Sequence, residues 1–415
     1  MTIGAWMTLA VFVGVYLLLA TEWVHRAVVA LVAALLVVVL GLVPLSRVPA
    51  AIDWNTLGLL FGLMILVLLM ESSGLFGVLA SLLWRGAGAS AAWLVTGLLV
   101  IIGVVSAFLP NLTVILVFGP MVLATADTVG LPPVPLLILA VAVSNLGGLA
   151  TLIGDPPNLL IGTGANIGFA GFAAYAAPLA ALLIVAVIVW TRMLLPIPRR
   201  RLPAVTGQEH TARPGLRRLL VVFLLTVTGF VAAGPLHLPL GLVGLAGGAG
   251  AVAITGADLR SLFTRVDWAT LAFFAGLFTV VGSLETQGII GLAARGLLSL
   301  SVGPALPLVV MTGVALLSAF VDNIPIVAAA IPMVDLITQH HPGFGLTLWF
   351  ALAIGAAVGG NATLVGASAN VVAAGLAKAR GYSLSFGEYW RWGWPVAVLT
   401  WGLAAAYLWW MPAPH

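Results

Sequence analysis

Cysteine is absent from the 415-residue sequence, which excludes disulfides, iron-sulfur clusters and thiolate metal sites. Charge is nearly as scarce. Asp, Glu, Lys and Arg make up 7% of the chain, against about a quarter in soluble globular proteins, too little to coat a water-facing surface. Neither an HExxH pair nor a GxSG nucleophile occurs, so an intramembrane hydrolase has no motif to stand on, and no cofactor or metal site is expected. The first apolar run, residues 5–20, has no basic flank before it and no small-residue cleavage pattern after it. It reads as a retained span and not as a signal peptide.

What is present is hydrophobic: 62% of residues. The length accommodates about ten spans of roughly 20 residues with short loops, in one membrane domain. Two pairs of apolar runs are joined too tightly for an ordinary loop. Residues 91–109 and 112–126 are separated by Pro110-Asn111, and residues 303–320 and 324–338 by Asp322-Asn323 with Pro325 just after. Each pair reads as a re-entrant hairpin, antiparallel spans with a tight polar turn being the simpler alternative. With the linker 196–217 placed in the cytoplasm, Arg192, Arg199, Arg200, Arg201, Arg213, Arg217 and Arg218 lie inside, as do Arg26, Arg85, Arg260, Arg265, Lys378, Arg380 and Arg391. Only Arg47 and Arg295 fall opposite, as the positive-inside rule requires. A cytoplasmic (inner) membrane location with both termini outside follows. The fourteen Trp residues, among them Trp390, Trp392, Trp394, Trp409 and Trp410, cluster near run ends as interfacial anchors.

The chain is also duplicated. Gly147-Gly148-Leu149-Ala150-Thr151-Leu152-Ile153-Gly154-Asp155-Pro156-Pro157-Asn158 recurs as Gly359-Gly360-Asn361-Ala362-Thr363-Leu364-Val365-Gly366-Ala367-Ser368-Ala369-Asn370, at an offset of 212. Asp53-Trp54 recurs as Asp267-Trp268 and Glu71 as Glu285, at an offset of 214; Ser106-Ala107-Phe108, Asn111 and Pro120 recur as Ser318-Ala319-Phe320, Asn323 and Pro332. The repeats are 1–195, with a cytoplasm-side hairpin at 91–126, and 218–411, with an outside-entering hairpin at 303–338. Five spans per repeat is an odd number, so the second copy inserts upside down. The predicted fold is all-α and integral to the membrane: about ten transmembrane helices and two re-entrant hairpins in inverted-topology repeats, with discontinuous helices at the midplane. Irregular backbone at membrane depth survives only where protein or a polar cavity satisfies it, and such repeats hold their solute between paired breaks.

At the hairpin tips Asn111, Thr113 and Asn323 offer donors and acceptors, and Thr151, Asn158, Thr363, Ser368 and Asn370 do so at the breaks. Neutral polar groups with free carbonyls suit a small oxygen-rich solute or a hard monovalent cation, and half-helix N-termini favour anionic or hydroxyl oxygen. Capping and close packing are the bland alternative for any one of these residues. Asp155 and Asp322 are the ion-coupling candidates. Neither has an acidic counterpart, since position 367 is Ala and position 110 is Pro. An intramembrane carboxyl is costly and marks ion or proton handling, and loss of water favours its neutral form. The competing role is a helix cap, stronger for Asp155, which precedes Pro156-Pro157. Asp53 and Asp267 read as interfacial caps, Glu71 and Glu285 as structural, His25 and His237 as interfacial.

The string Asn145-Leu146-Gly147-Gly148 through Asn158 resembles the signature of the ion transporter superfamily, in the branch of ArsB-type arsenite and antimonite efflux permeases and the P protein, and the likeness spans essentially the whole chain. The resemblance implies two inverted repeats of five spans and a hairpin. In the dicarboxylate branch each tip carries Ser-Asn-Thr, whereas here the tips read Pro110-Asn111-Leu112-Thr113 and Asp322-Asn323-Ile324-Pro325. The expected function is export of arsenite or antimonite against inward proton flow, with a sodium/proton antiporter or an ion-coupled anion symporter as the rival and a passive channel as the distant one. Expected partners are the inorganic solute, protons and the lipid bilayer. A soluble ATPase subunit and a second copy of the chain are further candidates, and nucleic acid is not expected.

Overall fold

In the computed structural model, residues 1–21, 23–86, 90–198, 215–299 and 303–411 are described. Of the basic linker, Arg199, Arg200, Arg201 and Arg213 lie outside them. The described residues form α-helices, with short 3₁₀ turns at Leu45–Arg47, Gly303–Ala305 and Pro342–Phe344, and no strand. The first ten are α1 (Ile3–Thr21), α2 (Arg26–Val39), α3 (Val48–Ala51), α4 (Trp54–Ser72), α5 (Leu75–Gly86), α6 (Ala91–Ser106), α7 (Asn111–Val129), α8 (Pro133–Gly148), α9 (Pro156–Gly164) and α10 (Phe169–Leu194). The same order then repeats as α11 (Leu216–Ala233), α12 (Leu240–Thr255), α13 (Leu259–Arg265), α14 (Trp268–Thr286), α15 (Ile289–Leu298), α16 (Leu306–Ser318), α17 (Asn323–His340), α18 (Thr347–Gly359), α19 (Ser368–Ala379) and α20 (Phe386–Trp410).

Local chemistry sets the boundaries. Asp53 and Asp267 cap α4 and α14, accepting from the backbone N–H of Thr56 at 3.0 Å and of Thr270 at 2.9 Å; this satisfies an N–H that has no partner inside the helix. Pro133 opens α8 and Pro156 opens α9, where a missing N–H costs nothing. Five described helices (α4, α7, α10, α11 and α14) are long and apolar enough to cross a membrane alone, and the shorter apolar helices run 10–17 residues. Among the five is α7, a hairpin arm: its length alone reads as a span, yet its first residue, Asn111, is a buried tip.

Helices α8 and α18 carry no charge and are buried on every face, as expected of a helix apolar all round. They form the centre of one body. Around α8 pack α6, α7 and α10, and around α18 pack α16, α17 and α20. Close approach is what the glycines at their ends permit. A Cβ on Gly147 would lie 2.3 Å from the Gly103 carbonyl oxygen, and one on Gly359 would lie 2.2 Å from that of Ala315.

A second body comprises α1, α2, α4, α11, α12 and α14, and here the halves exchange partners. Helix α4 packs on α12 of the other half, and α14 packs on α2. The contact is duplicated in detail: Gly62 meets the backbone of Gly244, and Gly276 meets that of Ala30. Large apolar side chains such as Leu17, Leu35, Leu224 and Leu225 point outward and are exposed, which is the surface a bilayer covers.

Candidate functional site

Four helix N-termini converge between the two bodies. These are the starts of α7 and α17 at the hairpin tips, and of α9 and α19 after the breaks at 149–155 and 360–367. Around them lies a cavity of about 300 Å³, within the usual size of a small-molecule site. Asn111, Thr113, Asp155, Asp322, Asn323 and Ser368 line it, with an apolar wall from α4 that includes Leu63 and Val67.

The tips and breaks are held by a duplicated set of hydrogen bonds. Thr151 donates to the Ala107 carbonyl and Thr363 to that of Ala319, tying each break to the tip of its own half. Asn158 Nδ2 donates to the carbonyls of Gly148 at 2.8 Å and Thr151 at 3.0 Å; Asn370 Nδ2 does the same to Gly360 at 2.7 Å and Thr363 at 2.8 Å. A broken helix frees carbonyls that hydrocarbon cannot satisfy, and these amides satisfy them. Thr151, Asn158, Thr363 and Asn370 are therefore brought beside the cavity as braces and do not line it. Asn145 Nδ2, on α8 ahead of the first break, reaches the second break and donates to Asn361 Oδ1 at 2.8 Å.

The two candidate acids are placed differently. Asp155, the stronger cap candidate from sequence, makes no cap hydrogen bond to α9, because Pro156 and Pro157 at its first two positions have no N–H to donate. Its carboxylate instead accepts from Asn323 Nδ2 at 3.0 Å, so the break of the first half touches the tip of the second. Asp322 is the one that caps, accepting from the Ile324 N–H at 3.2 Å, and it also accepts from the Ser368 hydroxyl. Neither acid is in an ion pair among the described residues. Asn111 Oδ1 accepts from Ser106 Oγ at 2.7 Å.

Sequence reasoning missed a cation. Arg26, at the start of α2, lines the cavity and donates from Nη2 to Thr270 Oγ1 at 2.7 Å and from Nη1 to Ser368 Oγ at 3.2 Å. It lies 3.9 Å from Asp267 and 5.6 Å above the Phe273 ring. Asp267 is thus a cap that also contributes charge to the cavity. At the rim, Arg265 pairs with Glu71 at 3.4 Å, so Glu71 links the halves by charge. The one signal for Arg26 in the sequence was its asymmetry, since the matching start of α12 is Leu240. The halves also differ here: Thr270 meets Arg26, whereas its counterpart Thr56 lies 3.3 Å from Thr163 on α9.

Paired tips and paired breaks around a polar cavity, inside an apolar all-helical shell, define a multi-pass membrane transporter of the inverted-repeat kind. The family model described as "Citrate transporter" (CitMHS) matches residues 16–355 and 291–414. The chain belongs to that family, within the ion transporter superfamily. It is 35% identical to an uncharacterized transporter of Mycobacterium tuberculosis, over 97% of this chain and 98% of that one. To the P protein of Homo sapiens it is 32% identical over 96% of this chain and 59% of that protein. The structure of the YdaH transporter of Alcanivorax borkumensis, reported to have an unusual topology, superposes with a TM-score of 0.60 at 16% identity, covering 88% of this chain and 86% of that one; it supports the fold alone.

Proposed function

We propose that the protein exports arsenite or antimonite across the cytoplasmic membrane in exchange for protons, by alternating access. The observation that carries this reading is the division of the four converging helix ends. Those of α9 and α17 hold Asp155 and Asp322, while those of α7 and α19 begin at Asn111 and Ser368 with no carboxylate. The two ends with neutral first residues suit the hydroxyls of a small, mostly neutral triol, and the acids suit protons moving the other way. A citrate trianion fits less well. The cavity is lined by Glu71, Asp155, Asp267 and Asp322 against Arg26 and Arg265, and both arginines are already engaged. Arg26 and Arg265 lie on the side that basic-residue bias assigns to the cytoplasm, so the cavity reads as open inward. Substrate sites in this proposal are Asn111, Thr113, Asn323 and Ser368, braced by Thr151, Asn158, Thr363 and Asn370.

The acid excess gives a second reading its support: exchange of sodium for protons at Asp155 and Asp322. Proteoliposomes made acid inside separate the two. Arsenite accumulation that collapses with a protonophore is the expected result, and sodium accumulation in its place favours the second reading. Vesicles that accumulate citrate and neither of the others contradict both.

A further inference from the structure

Arg26 lies where the two bodies meet. It belongs to α2, which packs on α14, and its guanidinium spans Thr270 of α14 and Ser368 at the start of α19. The Ser368 hydroxyl in turn donates to the Asp322 carboxylate. One chain of hydrogen bonds therefore runs from an arginine on one body to a carboxylate at the hairpin tip on the other. The charged groups facing Asp322 across the cavity are Arg26 from α2, Asp155 from the first break, Asp267 from the start of α14, and Glu71 and Arg265 at the rim. Tyr16 of α1 also reaches this tip, donating to the Pro325 carbonyl.

The bridge depends on the charge of Asp322. A hydroxyl that donates to a carboxylate is a better acceptor for a cation, because hydrogen bonds in series polarise one another. With Asp322 ionised, Ser368 is oriented to receive Arg26. With Asp322 neutralised, that orientation loses its cause, and Arg26 retains Thr270 and Asp267 without Ser368.

We infer that Arg26 is a positioning residue that latches the second hairpin and break to the α2–α14 layer while Asp322 is ionised, and releases them when Asp322 takes up a proton or a monovalent cation. The latch keeps the empty, charged site from moving across the membrane and so suppresses uncoupled ion leak. This rests on the reading of Asp322 as a coupling group and is independent of which solute is exported.

The test uses full-length protein in liposomes with a pH gradient and no solute. Arg26→Gln removes the latch, and proton entry is expected to rise about tenfold over wild type, the scale set by one charge-assisted hydrogen bond. Arg26→Lys keeps the charge without the two-pronged reach and leaks less. The leak must also vanish in the Arg26→Gln, Asp322→Asn double variant, because the proton cannot cross without Asp322 even when Asp155 is intact. A tight Arg26→Gln, or a leak that persists in the double variant, overturns the latch. Should Arg26→Gln fail to insert, Ser368→Ala breaks the same bridge without removing a charge, and the same two outcomes decide. If arsenite is the wrong solute, wild type fails the accumulation assay while the leak pattern stands.

Discussion

Asp155→Asn should fold, reconstitute and lose gradient-driven accumulation down to the level of protein-free vesicles. The substitution is isosteric, and the new side-chain oxygen still accepts from Asn323 Nδ2, which lies 3.0 Å from the native carboxylate. The link between the first break and the second tip therefore survives. What disappears is the only ionisable group in the first break. A buried carboxyl has a large standing cost, which the bond from Asn323 offsets in part and no cap bond offsets further. In the proposed exchange its role is to take up and release a proton or cation. Thermal stability near wild type together with loss of accumulation under an acid-inside gradient is the expected pair of results. Full accumulation in the variant removes Asp155 from the coupling machinery.

The second large effect is on folding. Gly359→Ala places a Cβ 2.2 Å from the Ala315 carbonyl oxygen, and backbone cannot step aside as the end of a side chain can. Overpacking costs about 1–3 kcal/mol where neighbours can shift, and more where they cannot, so this variant belongs at or beyond the upper end. It should fall sharply in yield and in melting temperature in detergent. Gly313→Ala in the adjacent α16 is the control. Nothing lies within 4 Å of its Cβ position, and the change is expected to be neutral or to add up to about 1 kcal/mol from helix propensity. Equal stability of the two variants would mean that α16 and α18 do not approach as described.

Much of this architecture was legible because duplication leaves the same polar words in an apolar text. Pro110-Asn111, Asp322-Asn323 and the two Gly-Gly segments stand out because Asn and Asp have no place facing lipid and clustered Gly and Pro break a helix, freeing backbone groups that lipid cannot satisfy. The crossing of the halves was not legible. Gly62 and Gly276, which let α4 and α14 reach α12 and α2, are two of 48 glycines, and a stretch of small residues does not say which helix it will meet. Nor could composition separate Asn158 and Asn370 from Asn111 and Asn323. All four are amides beside a tip or break, and only geometry reveals that the first two spend their donors on freed carbonyls. Arg26 escaped notice for a related reason. A basic residue at the head of an apolar run reads as an interfacial anchor, and its reach to Thr270 and Ser368 depends on segments about 240 and 340 positions away.

The absence of native cysteine makes one measurement unusually clean. With Asp155→Cys and Asn323→Cys in one chain, a short bifunctional thiol reagent applied to intact membranes should join the two positions. After trypsin cuts the basic linker around Arg199 and Arg213, the halves should then migrate as one band. Halves that separate, with each thiol labelled by an impermeant reagent from opposite sides of the membrane, would contradict the convergence of the first break and the second tip on one cavity.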